Sequence, residues 1–303
     1  MGNEALRING FTNTVTTNNH ITTRGSDWYF TVCAVMTVSA LVFMILAFYK
    51  TRSQRLFYYI TASMTMVAAI SYFCMGSNLG WTAIEVEWRR SDPEVRGNMR
   101  QIFYVRYIDF FITTPLLLAD LLLVCALPTA TTLYVLLMSE VMVIMGLVGA
   151  LVHSSYKWGF FTFGVAAYFF VAYTIIFDGR AYARTLGADI LQTYTILGVW
   201  TATLFIVYPV AWGVSEGGNV IPPDSEAIMY GILDILTKPV FGGYLIWALR
   251  NVDIERLGIH IRDINMAPAA APASEKAVEA NPSGAGETPM VAPPAENTTS
   301  TAV

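Results

Sequence analysis

The feature that most constrains this chain is a series of seven apolar stretches, each close to the about 20 residues a helix needs to cross ~30 Å of hydrocarbon. They run roughly over 28–49, 56–77, 102–126, 129–152, 158–177, 190–213 and 225–249. The 303 residues are 55% hydrophobic and only 13% charged, with a mean hydropathy of +0.50. A soluble protein of this length would carry far more charge on its surface. The expected architecture is therefore an all-α membrane protein, a bundle of seven transmembrane helices.

The flanks read differently. Residues 1–27, MGNEALRINGFTNTVTTNNHITTRGSD, are polar and rich in Asn and Thr. They lack the basic start and apolar core of a cleavable signal peptide, so the first span itself is expected to direct insertion. Connections are short except over 78–101, where WTAIEVEW alternates apolar and polar residues and predicts a small β-hairpin over one mouth of the bundle. Residues 251–303 form a tail whose Pro, Ala, Glu and Ser content predicts disorder from about 264. Cys33, Cys74 and Cys125 all fall within apolar spans without paired or metal-ligand spacing, which fits small buried side chains. Eight Lys and Arg gather on one side of the spans and seven on the other, so loop charge leaves the orientation undecided.

Two spans break the apolar rule. The third, RYIDFFITTPLLLAD, carries Arg106, Asp109 and Asp120; the seventh, MYGILDILTKPVFGGYLIW, carries Asp234 and Lys238. Charge at mid-membrane costs about 2.5–3.5 kcal/mol per residue on insertion scales, so each is a functional candidate. Asp234 and Lys238 are four apart and share a helix face. Pro239 removes a helical hydrogen bond beside the lysine and predicts local irregularity. Lys238 sits too deep to snorkel, and a desolvated lysine amine is suited to Schiff-base chemistry with a carbonyl compound, the alternative being a buried structural pair. Asp109 and Asp120 are eleven apart, about three turns plus ~20°, with a rise of ~16 Å. They lie on one stripe at different depths. Hydrolytic carboxylate pairs sit about 5–10 Å apart, so this spacing suits a proton relay on either side of a central switch and not an enzyme.

At these residues the chain resembles the microbial rhodopsins. RYxDxxxTTPLLLxD in the third span, YPxxW in the sixth (Tyr208, Pro209, Trp212) and DxxxK in the seventh are similar to the fungal branch of light-driven proton pumps, bacteriorhodopsin-like in pattern. The resemblance covers about 28–250, which would be the retinal-binding bundle. It implies all-trans retinal held covalently on Lys238 as a protonated Schiff base. Asp109 matches the primary counterion and proton acceptor, Asp234 the second counterion, and Arg106 the arginine that tunes them. Asp120 matches the cytoplasmic proton donor, Thr61 the threonine that holds it protonated, and Tyr72 a tyrosine bonded to the second counterion. Glu216 and Glu226 match a paired proton-release group and are expected to titrate as one coupled unit. Positions that would contact retinal are Tyr107, Phe110, Thr113, Thr114, Met142, Gly146, Phe161, Gly164, Tyr168, Phe205, Tyr208, Pro209 and Trp212. The resemblance also implies an extracellular N-terminus and hairpin and a cytoplasmic tail, with the plasma membrane as the expected location. Expected partners are retinal, protons and lipid; a homo-oligomer is compatible with this reading and nucleic acid is not expected.

Some positions depart from the pattern. Family tryptophans at the slot walls are Phe110, Phe161 and Phe205 here, which keeps an aromatic slot with less area per ring. Ser139 corresponds to the family's polar residue near the retinal ring. Glu140 is an unexpected intramembrane acid, for which pairing with Cys125 is one reading.

The leading expectation is a light-driven outward proton pump. The alternative from another class is a photosensory or slow-cycling regulatory rhodopsin, against which the acidic donor Asp120 argues. A chromophore-free opsin-like stress protein would lack Lys238, and a chloride pump would carry a neutral residue at 109.

Overall fold

The computed structural model describes residues 3–10, 17–86 and 97–259. Residues 87–96 and the tail from 260, including the stretch expected to be disordered, lie outside the described residues.

Long apolar runs with few breakers become seven helical rods among the described residues. The first four are α2 (Thr23–Phe48), α3 (Leu56–Gly76), α4 (Tyr104–Val124) and α5 (Thr129–Leu151), preceded by a short α1 (Glu4–Ile8). The fifth joins α6 (Lys157–Tyr173), a π turn (Thr174–Gly179) and α7 (Arg180–Thr185). The sixth is α8 (Ala188–Trp212) with a π turn at Gly213–Gly217. The seventh is α9 (Pro223–Ile235), a π turn (Leu236–Val240) and α10 (Phe241–Ala248). Six rods are long and apolar enough to cross a membrane by length and composition.

Two boundaries differ from the sequence expectation. The first helix begins at Thr23, before 28, because Thr22 Oγ1 caps the Arg24 N–H at 3.3 Å. The fifth rod continues past 177 to Thr185. Asp178 and Arg180 end its apolar run but not its helix, and the π turn absorbs the change, with Tyr194 Oη donating to the Ile175 carbonyl at 2.9 Å.

The expected hairpin forms from β1 (Thr82–Glu85) and β2 (Met99–Ile102), antiparallel, with Thr82 opposite Ile102. It precedes α4 directly, so the start of α4 lies at the hairpin end of the bundle. Gln101 pins β2 on both sides: its Oε1 accepts from Ile21 N at 3.0 Å and its Nε2 donates to Asn78 Oδ1 at 2.7 Å.

The distribution of side chains inverts that of a soluble protein. Val38, Leu41, Ile45, Phe48, Phe163 and Phe169 face outward, while Arg106, Asp109, Asp120, Asp234 and Lys238 are buried. Lipid is the solvent that makes both halves favourable. Close packing between α3 and the seventh rod depends on Gly242, where a Cβ would strike Thr61 Cγ2.

Candidate functional site

Lys238 is the centre of the site. It lies within the π turn of the seventh rod, where Pro239 supplies no N–H to the helix ladder. Its ammonium Nζ donates to Asp234 Oδ1 at 2.7 Å and lies 3.3 Å from Asp109 Oδ2. The i, i+4 spacing predicted the first contact; packing of α4 against the seventh rod makes the second.

The two aspartates are not equivalent. Asp234 is satisfied as an anion by three donors: Lys238, Tyr72 Oη at 2.5 Å and Tyr208 Oη at 2.6 Å. Asp109 forms an ion pair with the same ammonium, but neither of its carboxylate oxygens has a hydrogen-bond partner among the described residues. Thr113 Oγ1 donates to the Asp109 backbone carbonyl at 2.9 Å, leaving the carboxylate itself open. Such an oxygen is positioned to take a proton or an ordered water.

Towards the hairpin lies a second group of charges. Arg106 Nη1 donates to Glu226 Oε1 at 2.5 Å and to Glu216 Oε1 at 3.3 Å, and its Nη2 donates to Tyr29 Oη at 2.9 Å. Its guanidinium carbon sits 4.1 Å from the centroid of the Tyr230 ring. Arg106 makes no ion pair with Asp109 or Asp234 among the described residues, so it balances the glutamates directly and the aspartates only at longer range. Tyr107 Oη donates to Glu216 Oε2, and Lys157 Nζ donates to the Glu216 carbonyl at 2.9 Å.

Away from the hairpin, Asp120 is fully buried, with Thr61 Oγ1 donating to its Oδ2 at 3.1 Å and its Oδ1 unpartnered among the described residues. Among the described residues it forms no ion pair. Asp109 and Asp120 thus sit on one helix ~16 Å of rise apart, with Asp109 beside Lys238.

A cavity with about 790 Å³ of space, counting the part that opens outward, has Lys238 in its lining. Phe110, Thr113 and Thr114 line it from α4, Met142 and Gly146 from α5, and Phe161 and Gly164 from α6. Tyr107, Phe205, Tyr208, Pro209 and Trp212 line it too, which accounts for every expected contact except Tyr168. Phe161 stacks on Trp212 with centroids 5.1 Å apart, and Trp212 Nε1 donates to the Gly146 carbonyl at 3.1 Å, fixing one wall. A mostly apolar, aromatic-lined cavity that contains a primary amine fits retinal, a long apolar aldehyde; Lys238 would hold it and the aromatic walls would orient it.

Tyr168 does not line the cavity. Its hydroxyl instead donates to the Ala202 carbonyl at 2.9 Å, tying two rods together. Ser139 also lies off the cavity, bonded back to the Leu136 carbonyl at 2.7 Å. Glu140 does not pair with Cys125, whose thiol donates to the Leu122 carbonyl at 3.2 Å; Glu140 Oε2 has no partner among the described residues.

Sequence reasoning missed several contributors. Leu117, Val143, Val165, Tyr230 and Thr237 also line the slot. Tyr230 was legible, since Tyr230, Asp234 and Lys238 follow at i, i+4 and i+8 on one face. Tyr29 and Arg100 carried no local signal. Arg100 bonds Glu226 across 126 positions of sequence.

A family model described as bacteriorhodopsin-like protein matches residues 24–252. Opsin-like protein carO of Fusarium fujikuroi is 54% identical over 87% of this chain and 86% of its own length. Two solved structures share the fold. The light-driven proton pump CsR of Coccomyxa subellipsoidea has a TM-score of 0.71 at 35% identity, covering 76% of this chain and 98% of that one. The light-driven proton pump LR (Mac) of Leptosphaeria maculans has a TM-score of 0.74 at 31% identity, covering 80% and 100%.

Proposed function

This chain belongs to the bacteriorhodopsin-like family, the microbial rhodopsins, and from that premise we propose that it is a light-driven outward proton pump using all-trans retinal linked to Lys238. The carrying observation is the inequality of the two aspartates at Lys238: Asp234 has three hydrogen-bond donors, while Asp109 has the 3.3 Å ion pair and no hydrogen-bond donor among the described residues. Retinal supplies light absorption and a light-driven change in the proton affinity and position of the Nζ end.

The rest is work for this chain's own residues. The free ammonium of Lys238 stands here for the linked nitrogen, and its proton faces Asp109 Oδ2. Asp109 accepts that proton, because Asp234 is already satisfied as an anion by Tyr72, Tyr208 and the lysine. Neutralising Asp109 removes one negative charge from the centre, which weakens the long-range hold on Arg106 and favours its engagement with Glu216 and Glu226. Proton release then occurs at the hairpin end, which this reading places outside the cell. Asp120, buried with Thr61 and without an ion pair among the described residues, carries the replacement proton from the opposite side. Phe110, Phe161, Trp212 and Phe205 exclude water from the slot, so protons pass through the side chains and not around them. The plasma membrane is the location this direction of transport would serve.

Illumination of unbuffered cells that express the protein with retinal tests the proposal. The expected result is acidification of the medium that a protonophore abolishes and Asp109→Asn eliminates. A retinal absorption band without a light-driven pH change would overturn pumping and favour the sensory reading.

A further inference from the structure

The hairpin residue Arg100 belongs to the outer charge group, though neither its sequence neighbourhood nor the family motifs point to it. It is buried, at 2% exposure, as are Gln101 and Ile102 beside it on β2. Its Nη2 donates to Glu226 Oε2 at 2.5 Å, and its Nη1 donates to Asn219 Oδ1 at 3.1 Å and the Ile221 carbonyl at 2.9 Å. One guanidinium thus joins β2, the loop before the seventh rod and the first turn of α9. The strand is held by Gln101 on both sides, so Arg100 is presented from a fixed backbone.

The consequence falls on Glu226. Arg106 occupies its Oε1 and Arg100 its Oε2, each at 2.5 Å. Glu216 has a different setting. It receives a hydroxyl from Tyr107 and only a longer contact, 3.3 Å, from Arg106, while Lys157 reaches its backbone carbonyl and not its carboxylate. Other titratable groups facing the pair are Tyr29 from α2 and Tyr230 from α9. A proton shared evenly between two carboxylates needs both to be similarly free. Here one is clamped between two guanidiniums, each a strong charge-assisted donor.

We propose that Arg100 is a positioning residue that makes the two outer glutamates unequal, fixing Glu226 as a permanent anion so that Glu216 alone takes up and gives off the exit proton. In this arrangement the proton leaves a Glu216 carboxyl oxygen for external water, and the carboxylate later regains one from the bundle interior. Glu226 keeps its charge throughout and serves as the fixed counter-charge of Arg106. The proton-release role rests on the pump reading; the inequality of the glutamates does not.

The test separates the two. The full-length, retinal-loaded protein is labelled with ¹³C-glutamate, and its carboxyl infrared bands are titrated in the dark. Glu216→Gln, Glu216→Gln/Arg100→Gln and Glu216→Gln/Arg100→Lys are compared, with the retinal absorption band confirming that each variant is folded. Glu140 is common to all three and cancels in the comparison. The expected result is no titrating outer glutamate in Glu216→Gln, one per protein when Arg100→Gln is added, and none again with Arg100→Lys, which restores the cation. An equal number of titrating glutamates in the first two variants would overturn the proposal, because Arg100 would then be only an anchor for the hairpin. Flash measurements with a pH dye on the unmodified protein read the other claim. Absence of any light-driven proton signal there sinks pumping while leaving the dark titration to stand on its own.

Discussion

Gly242 lies directly against Thr61, and a single added methyl at that glycine would collide with the Thr61 side chain that donates to Asp120. The buried acid on the third rod therefore depends on a glycine on the seventh rod. The link runs through packing: α3 can hold Thr61 at 3.1 Å from Asp120 only because α10 presents no side chain there.

Gly242→Ala should accordingly disturb the inner half of the proton path without altering the retinal slot. Overpacking of a tight interface costs about 1–3 kcal/mol. If the strain is relieved by moving Thr61, reprotonation should slow by about tenfold, since ~1.4 kcal/mol is a factor of ten. Flash spectroscopy checks this; recovery at the unmodified rate would show that Thr61 is not displaced.

Asp120→Asn removes the internal proton reserve. The returning proton must then come from bulk solution, whose proton concentration falls tenfold per pH unit. Recovery in the variant should slow about tenfold for each unit of rising pH, while the unmodified protein should show a much flatter dependence near neutrality. The experiment is a series of flash decays across pH, and a flat profile in the variant would remove Asp120 from the path.

Lys238→Arg keeps a buried cation opposite Asp234 and Asp109 but lacks a primary amine. It should fold and bind no retinal covalently, so the pigment band should be absent after incubation with retinal. Lys238→Ala should be worse for folding, because truncating one partner of a buried ion pair costs about 3–5 kcal/mol. Thermal denaturation in detergent distinguishes the two; a stable pigment in either variant would disprove the attachment site.

Tyr72→Phe removes one of the three donors on Asp234. A hydrogen bond to a charged group contributes about 1.5–3 kcal/mol, so a lowered melting temperature is expected. The loss also makes Asp234 more like Asp109, and the absorption maximum should become sensitive to pH over a wider range. Tyr208→Phe, which leaves Asp234 Oδ1 to the Lys238 ammonium alone, should act in the same direction. An unchanged spectrum and melting point in both would show that Asp234 does not need the tyrosines.

The sequence by itself determined a great deal here, because the membrane makes charge expensive. Any Asp, Arg or Lys within twenty apolar residues stands out, so Arg106, Asp109, Asp120, Asp234 and Lys238 were legible before any coordinates. Helical periodicity then placed Asp234 and Lys238 on one face and the two third-span aspartates on one stripe. Alternation in WTAIEVEW was enough to find the hairpin. Where polarity changes gradually the sequence was less informative: Asp178 and Arg180 end an apolar run, but the fifth rod continues through a π turn to Thr185.

Only the tertiary structure decided which atoms of those residues are satisfied. Lys238 chooses between two aspartates through the packing of α4 on the seventh rod, and that packing gives Asp234 three donors and leaves Asp109 open. Tyr168 and Ser139, in register with the slot by sequence, turn to backbone carbonyls and leave the cavity. Arg106 faces the glutamates, not the aspartates, and Arg100 joins it from the preceding strand on a Glu226 that is 126 positions away in sequence. The physical reason is common to all of these. Desolvation cost is a property of a residue type and can be read one residue at a time. The hydrogen bonds that offset it depend on which helices meet, and at what distance.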